Sequence, residues 1–226
     1  MHSSLHYFPL GLPFLLAFFF LIAVLIALIE IGILGYAYEK LGINRRYVLI
    51  LLGLSLFGSY VNIPIMELPA QAVVSNQVVY FFGMEYVIPL VQEWQRTIVA
   101  INVGGAIVPI AVSFYLLIKK GIYLRALAGI AIVAAVVHWL TEPIPGLGIA
   151  VPTLVPPLLA AATALLISRR NAPPLAYIAG SLGTLIGADL MNLGSIQGLG
   201  APVVSIGGAG TFDGVFLTGI IAVLLA

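Results

Sequence analysis

The sequence predicts an all-α polytopic membrane protein with about seven transmembrane helices, and three observations support this prediction. Hydrophobic residues make up 62% of the 226 positions and charged residues only 8%, whereas a soluble domain carries about 25% charged residues. The apolar runs continue over about 20 residues instead of alternating over about 10, which favours membrane helices over a β-barrel. Cysteine is absent, which excludes disulfides, thiolate metal ligands and cysteine nucleophiles.

The expected spans form a single transmembrane domain over residues 1–226. They lie at 10–38, 46–66, 97–118, 122–141, 150–168, 173–194 and 212–226. The glycine pairs in "VGGAIVP" (103–109) and "IGGAGTF" (206–212) suggest repeat-like halves, 10–118 and 150–226, joined by the span 122–141. Such a 3+1+3 parallel repeat is a plan used by transporters.

The long connection at 68–95 is expected to be an outer loop that does not cross the membrane. Two runs of β-branched and aromatic residues flank Ser75-Asn76 and Gly83, which favours a small hairpin. Its last part, from Val87 to Trp94, fits an interfacial helix equally well. The loop could serve as a lid over an outer vestibule or as a passive cap.

The basic residues predict the direction of the chain through the membrane. Eight of the nine follow the first, third or fifth span: Lys40, Arg45, Arg46, Lys119, Lys120, Arg125, Arg169 and Arg170. By the positive-inside rule these links are cytoplasmic. The expected location is therefore the cytoplasmic membrane, multi-pass, with the N-terminus outside and the C-terminus in the cytoplasm.

Three acidic residues lie inside the expected spans: Glu30, Asp189 and Asp213. A carboxylate in hydrocarbon costs roughly 3 kcal/mol on insertion scales, so it indicates a functional site by default. The stretch from Asp213 to Ala226 provides only about 20 Å of helix against a hydrocarbon core of about 30 Å, so either Asp213 or the C-terminus is expected within the membrane. In the first case Asp213 would be level with Asp189. Apart from Arg46 and Arg125, which lie near the cytoplasmic ends of their spans, the expected spans contain no Lys or Arg that could neutralise these carboxylates.

Polar residues on several spans are expected at one depth in the outer half of the membrane. A rise of about 1.5 Å per helical residue puts Asn62, Asn102, His138 and Asp189 roughly 20–25 Å above the cytoplasmic boundary. Asn192 follows Asp189 by three positions and would share its helical face, while Glu142 would extend a path outward from His138. The alternative is that the Asn and His side chains only join helices through hydrogen bonds.

The same depth contains glycine-rich, apolar sequence that fits neither a helix nor a solvated loop. The stretch 193–214 contains seven glycines and Pro202. Irregular backbone at membrane depth is tolerated where it is buried in protein or lines a cavity. We therefore expect a re-entrant or tightly packed element at 195–212 that brings its backbone close to the two aspartates.

The run "GADLMNLGSIQGLGAPVVSIGGAGTFDGVFLTGIIAVLLA" (187–226), with "FGSYVNIPI" (57–65) upstream, resembles a prokaryotic integral membrane family known only as domain-of-unknown-function family 1614. The resemblance covers most of the chain and implies no established activity. A weaker similarity connects Gly187-Ala188-Asp189 and Pro202 to the GxGD intramembrane aspartyl proteases. The second glycine of that motif is missing here, and no tyrosine precedes Asp213.

The function expected from these residues is transport, by a carrier or a channel-like facilitator, of a cation, a proton or a small polar solute. Asp189, Asp213, Asn192, Asn62, Asn102, His138, Glu142 and Glu30 are the expected binding residues. Carboxylate and backbone carbonyl oxygens at interrupted helices can replace the hydration of a cation. One alternative is an intramembrane aspartyl protease with Asp189 and Asp213 as the catalytic pair, and another is a non-catalytic subunit of a membrane assembly.

The remaining expectations concern partners and cofactors. The sequence contains no nucleotide-binding loop, haem motif or Cys/His zinc pattern, so nucleic acid is not expected as a partner and no cofactor is assigned. The lipid bilayer is the expected environment, and a homo-oligomer is compatible with this interpretation.

Overall fold

The computed structural model describes residues 12–30, 32–68, 72–81, 84–93, 97–144, 148–195, 203–208 and 214–226. These residues are mostly helical, as predicted. They form eight α-helices: α1 (Leu12–Glu30), α2 (Ile33–Leu41), α3 (Val48–Gly58), α4 (Val108–Lys120), α5 (Tyr123–Leu140), α6 (Val155–Ile167), α7 (Ala172–Thr184) and α8 (Gly214–Leu225). Two π-helical turns adjoin them, Val103–Ile107 before α4 and Leu185–Asp189 after α7.

The fold also contains β-structure, so the prediction of an all-α protein is wrong in this respect. Seven strands form: β1 (Asn62–Leu68), β2 (Ala72–Phe81), β3 (Met84–Glu93), β4 (Thr97–Asn102), β5 (Glu142–Ile144), β6 (Gly148–Ala150) and β7 (Val203–Ile206). The sheet that matters for the site has the order β1–β4–β7, with β4 antiparallel to β1 and parallel to β7. The pairs β2–β3 and β5–β6 form two further two-stranded sheets.

The expected second and third spans each divide between helix and strand. α3 ends at Gly58, and the chain then becomes extended through Pro64. Proline lacks the N–H that a helix needs and forces the residue before it out of the helical conformation. Proline is tolerated in an edge strand, which is the position of β1. The third span starts as β4 and becomes helical only at the π-helical turn.

The expected first span is interrupted at Gly32. This residue has a φ of +83° and separates α1 from α2. A left-handed φ is incompatible with a continuing α-helix and is tolerated by glycine because it has no Cβ. The stretch 10–38 is therefore not one continuous helix.

The hairpin expected within 68–95 is present. β2 pairs antiparallel with β3, from Ala72 with Glu93 to Phe81 with Met84. Because β3 runs from Met84 to Glu93, the alternative of an interfacial helix over 87–94 is not what the structure shows.

The helices pack closely through small residues, with α7 at the centre. A Cβ added at Gly183 would lie 2.7 Å from the Cβ of Val133, and one added at Gly187 would lie 2.4 Å from the carbonyl oxygen of Ala134. Close backbone approach of this kind is the usual means of joining helices in a membrane. It fixes the end of α7, and with it the position of Asp189.

Three helical segments are long and apolar enough to cross a membrane: Val103–Lys120, Tyr123–Leu140 and Arg169–Ser195. The shorter helices α1, α3, α6 and α8 contain apolar segments of 10–17 residues within the described ranges. These helices are compatible with a membrane protein.

Candidate functional site

Two of the predicted polar residues meet across the first strand pair. Asn62 of β1 pairs with Asn102 of β4. The Nδ2 of Asn102 donates to Asn62 Oδ1 at 3.0 Å and to the carbonyl oxygen of Ser59 at 2.7 Å. This direct contact is consistent with the prediction that the two side chains lie at the same depth.

A serine from the third strand completes this polar group. Ser205 of β7 pairs with Ala100 of β4, and its hydroxyl donates to Asn62 Oδ1 at 2.5 Å. Ala100 and Asn102 lie two positions apart and so belong to the same face of the sheet. The small side chain of Ala100 leaves room for Asn62 and Ser205 to meet across the central strand.

Asn102 also caps the first π-helical turn. Its Oδ1 accepts a hydrogen bond from the backbone N–H of Gly105 at 2.8 Å, as expected of an N-cap asparagine. The side chain is 1% exposed, and both of its N–H donors are already used. Asn102 therefore holds structure together, whereas Asn62 is exposed and its Nδ2 donates no hydrogen bond within the described ranges.

Asp189 is the carboxylate of the site. It is the last residue of the second π-helical turn, within the candidate span Arg169–Ser195. Its Oδ2 accepts a hydrogen bond from the backbone N–H of Gly207 at 2.7 Å. Within the part of the chain that the structure describes, Oδ1 makes no hydrogen bond and no Lys, Arg or His forms an ion pair with the carboxylate. One oxygen is thus held in place, and the other has no hydrogen-bond partner among the described residues.

The turn after β7 connects Asp189 to the asparagine pair. Gly207 has a φ of +81°, and a Cβ there would lie 2.7 Å from the Cβ of Ala106. At the next residue, Gly208, a Cβ would lie 2.8 Å from Cγ of Asn102. Only glycine fits at these two positions. The close packing brings the N–H of Gly207 to Asp189 and places Gly208 against the side-chain amide of Asn102.

Asn192 plays a different role from the one expected. Its Nδ2 donates to the carbonyl oxygens of Gly187 and Ala188, both at 2.9 Å. A π-helical turn releases carbonyl groups from the usual bonding pattern, and Asn192 satisfies two of them. Because residues 185–195 are π-helical and then 3₁₀-helical, the α-helical spacing that would align Asn192 with Asp189 does not apply.

The other predicted residues are not joined to this group by any hydrogen bond that the structure shows. His138 lies near the end of α5 and is half-buried; its Nδ1 is buried without a hydrogen-bond partner among the described residues. Glu142 is exposed in β5, and Glu30 is the last residue of α1. Asp213 lies outside the described residues, so the aspartate pair stays a prediction.

A metal site built from ionisable side chains is not found in the described ranges, where no three His, Asp or Glu residues cluster. Any cation bound at Asp189 would therefore depend on neutral oxygen ligands as well. Amide, hydroxyl and backbone carbonyl oxygens are suitable for that purpose.

Sequence analysis did not identify Ser59, Ser205 or Gly207 as site residues. "VVSIGG" (203–208) carries the relevant signal, because a β-branched run that ends in a glycine pair is typical of a strand followed by a tight turn. The partners of that strand are distant in sequence and could not be found from local pattern.

The fold and the site together define a mostly helical protein that is compatible with a membrane location. Within its three candidate spans the one carboxylate is Asp189, which lies at a helix interruption beside a short sheet. The chain belongs to the DUF1614 family, "Protein of unknown function (DUF1614)", whose model matches residues 56–225, so the predicted membership is confirmed. No curated protein and no solved structure matches this chain.

Proposed function

We propose that this protein transports a cation or a proton across the cytoplasmic membrane and that Asp189 is the binding carboxylate. The observation that carries the proposal is the bonding of the Asp189 carboxylate. Its Oδ2 accepts a hydrogen bond from the N–H of Gly207, while Oδ1 has no partner in the described ranges. A carboxylate kept in a membrane span without a compensating cation is a functional-site hypothesis. Either a proton or a metal cation would neutralise it.

Neighbouring neutral groups support a cation or proton over a larger solute. The Ser205 hydroxyl oxygen lies next to the turn that holds Asp189, and its own hydrogen bond goes to the amide oxygen of Asn62, which also accepts from Asn102. The two π-helical turns flank the same turn, and π-helical segments occur frequently at functional sites. The site is thus compact and rich in oxygen atoms.

The proposed topology has seven spans, with the N-terminus outside. Its support is that the basic ends of several helices are adjacent: Lys119 bonds to the carbonyl oxygen of Gly42, and Arg125 bonds to Ser168. Basic residues gathered at one end of a bundle indicate the cytoplasmic side. α4 begins beside β4 and ends at Lys120, so the site would lie toward the outer side.

A repeat of two halves is also part of this proposal. β4 leads through Gly104-Gly105 into α4, and β7 is followed by Gly207-Gly208 before the chain reaches α8. The two strands pair in parallel. Related units that meet at a central binding site are a recurring plan in transporters.

Flux through the purified protein in proteoliposomes tests the proposal. Proton, sodium and potassium gradients are imposed in turn, and the flux of each ion is measured with an ion-sensitive dye. Asp189→Asn should lower the conducted flux roughly tenfold or more, because a neutral amide can neither bind a proton nor offset the lost hydration of a cation. Glu39→Gln removes an exposed carboxylate in the last turn of α2 and is the matched control that should retain wild-type flux. Full flux through a folded Asp189→Asn protein would overturn the proposal.

A further inference from the structure

A second polar feature lies at the opposite end of α4, where two lysine side chains converge on the end of α2. Lys119 Nζ donates to the carbonyl oxygen of Gly42 at 2.5 Å and to Tyr115 Oη at 2.8 Å. A Cβ placed on Gly42 would lie 3.2 Å from Lys120 Nζ and 3.9 Å from Lys119 Nζ. Both ammonium groups therefore lie within 4 Å of one point.

These charges are not neutralised by the described part of the chain. Neither lysine forms an ion pair with a carboxylate there, and Glu39, in the last turn of α2, is exposed without one. An ammonium group has three donors: Lys119 uses two of them, and Lys120 donates no hydrogen bond to a described residue. Like charges held this close repel each other, so a bound anion would be stabilised between them.

The same end of α4 presents aromatic and apolar surface beside the lysines. The Lys119 ammonium lies 5.1 Å from the ring centre of Tyr115, and Lys40 lies 5.0 Å from that of Tyr36. On α4 itself, Phe114 is 56% exposed and Ile118 is 71% exposed. Tyrosine is typical of the membrane interface, and the exposed apolar residues on the same helix provide a surface for acyl chains.

We infer that Lys119 and Lys120 bind the phosphate of an anionic phospholipid, whose acyl chains lie along Phe114 and Ile118. Basic pockets at the cytoplasmic ends of membrane helices bind such headgroups. Two ammonium groups near one point can bond to two oxygens of a single phosphate. This inference rests on the membrane location proposed above and is independent of transport.

Native mass spectrometry of the detergent-solubilised protein, titrated with phosphatidylglycerol or phosphatidylcholine, tests this site. The wild-type protein should retain phosphatidylglycerol in preference to phosphatidylcholine. Lys119→Gln with Lys120→Gln should weaken phosphatidylglycerol binding roughly tenfold or more, since each lysine near an anionic surface contributes appreciably to its attraction. Arg169→Gln with Arg170→Gln removes the same charge from another exposed pair and should leave the affinity unchanged.

Equal losses in the two double variants would overturn the site, because they would show diffuse electrostatic attraction only. An absence of preference for phosphatidylglycerol would overturn it as well. Inorganic phosphate in large excess should not displace the lipid; displacement by phosphate alone would identify a soluble anion as the ligand and contradict the lipid assignment.

Lys120→Gln alone provides a test that does not depend on the bond between Lys119 and Gly42. Since Lys120 makes no hydrogen bond within the described ranges, its loss should leave the fold intact and weaken binding about fivefold. Asp189→Asn should leave lipid binding unchanged. The flux experiment on Asp189 and the lipid-binding experiment on Lys119 and Lys120 can therefore fail independently of each other.

Discussion

At the scale of single residues, the two asparagines of the sheet have separate tasks. Asn102 is almost fully buried and uses both N–H groups and its carbonyl oxygen within the fold. Asn62 is exposed and uses only its oxygen in the described hydrogen bonds. Asn102 therefore holds the strands together, whereas Asn62 Nδ2 and Asp189 Oδ1 have no hydrogen-bond partner within the described ranges.

Asn102→Ala should destabilise the protein by about 2–4 kcal/mol, because three hydrogen bonds are lost, and the buried N–H of Gly105 and the partly buried carbonyl of Ser59 lose their partner. Thermal unfolding in detergent micelles, followed by circular dichroism, measures the effect. Asn44→Ala is the matched control: Asn44 is exposed and accepts one hydrogen bond, from Arg46 N–H at 3.1 Å. Equal effects of the two substitutions would show that Asn102 has no special structural role.

Gly207→Ala should be more destabilising than Gly121→Ala, although both residues have a left-handed φ. Each substitution strains the backbone by roughly 1 kcal/mol. At Gly207 the new methyl group also overlaps Ala106, whereas nothing lies within 4 Å of the corresponding position at Gly121. Overlap of this kind adds about 1–3 kcal/mol. The same unfolding experiment compares the two, and a smaller loss at Gly207 would contradict the close approach described for this turn.

At the scale of elements, both helices that lead into the site change their geometry where they reach it. The π-helical turn Val103–Ile107 precedes α4, and Leu185–Asp189 follows α7. A π-helical turn alters the direction of the side chains that follow it relative to a regular α-helix. Here it places Asp189 against Gly207 in the turn after β7, while Gly187 of the same π-helical turn packs against α5.

The packing of this turn against α5 leads to a prediction at the level of the helix pair. Gly187→Ala should destabilise the protein by several kcal/mol, because its methyl group would lie 2.4 Å from a backbone oxygen of Ala134 and backbone cannot yield as a side chain can. Gly53→Ala in α3 meets nothing within 4 Å and should stabilise by up to about 1 kcal/mol through helix propensity. Unfolding midpoints measured in the same detergent give the comparison. A tolerated Gly187→Ala would mean that α5 and the π-helical turn are further apart than described.

At the scale of the whole molecule, the two ends of the helical bundle have different chemistry. One end bears the sheet, the polar side chains and Asp189, and the other bears Lys119, Lys120 and Arg125. α4 joins the two ends directly. This polarity is what a protein oriented in a membrane requires, since cationic residues favour the cytoplasmic leaflet and an unpaired carboxylate needs a protected site.

The sequence was sufficient for some parts of this organisation and not for others. The range predicted at 122–141 corresponds to α5, and that at 173–194 corresponds to α7 with its continuation, because long apolar runs bounded by basic residues are strong helical signals. The β-strands at 62–68 and 97–102 were missed, since a continuous apolar run does not distinguish a buried helix from a buried strand. Pro64 was the local sign that the second run could not remain helical.

Three residues of the candidate site were predicted from the sequence, but its geometry was not. Asn62, Asn102 and Asp189 were chosen because polar side chains at membrane depth are costly. Asp189 is joined to the two asparagines through β7 and the turn that follows it. Because β7 lies about a hundred residues after β4 in the sequence, local periodicity could not predict that the two strands pair. The role of Asn192 depended on a π-helical turn that α-helical spacing cannot represent.

Infrared difference spectroscopy of aspartate-labelled protein tests the central claim, ligand binding by Asp189, most directly. The chain contains two aspartates, so isotopically labelled aspartate in an Asp213→Asn variant reports on the Asp189 carboxyl group alone. We expect its carboxylate band to shift when protons, sodium or potassium are added, because each ligand changes the bonding of the free oxygen. A band that stays unchanged under all three additions, in a folded protein, would contradict the claim.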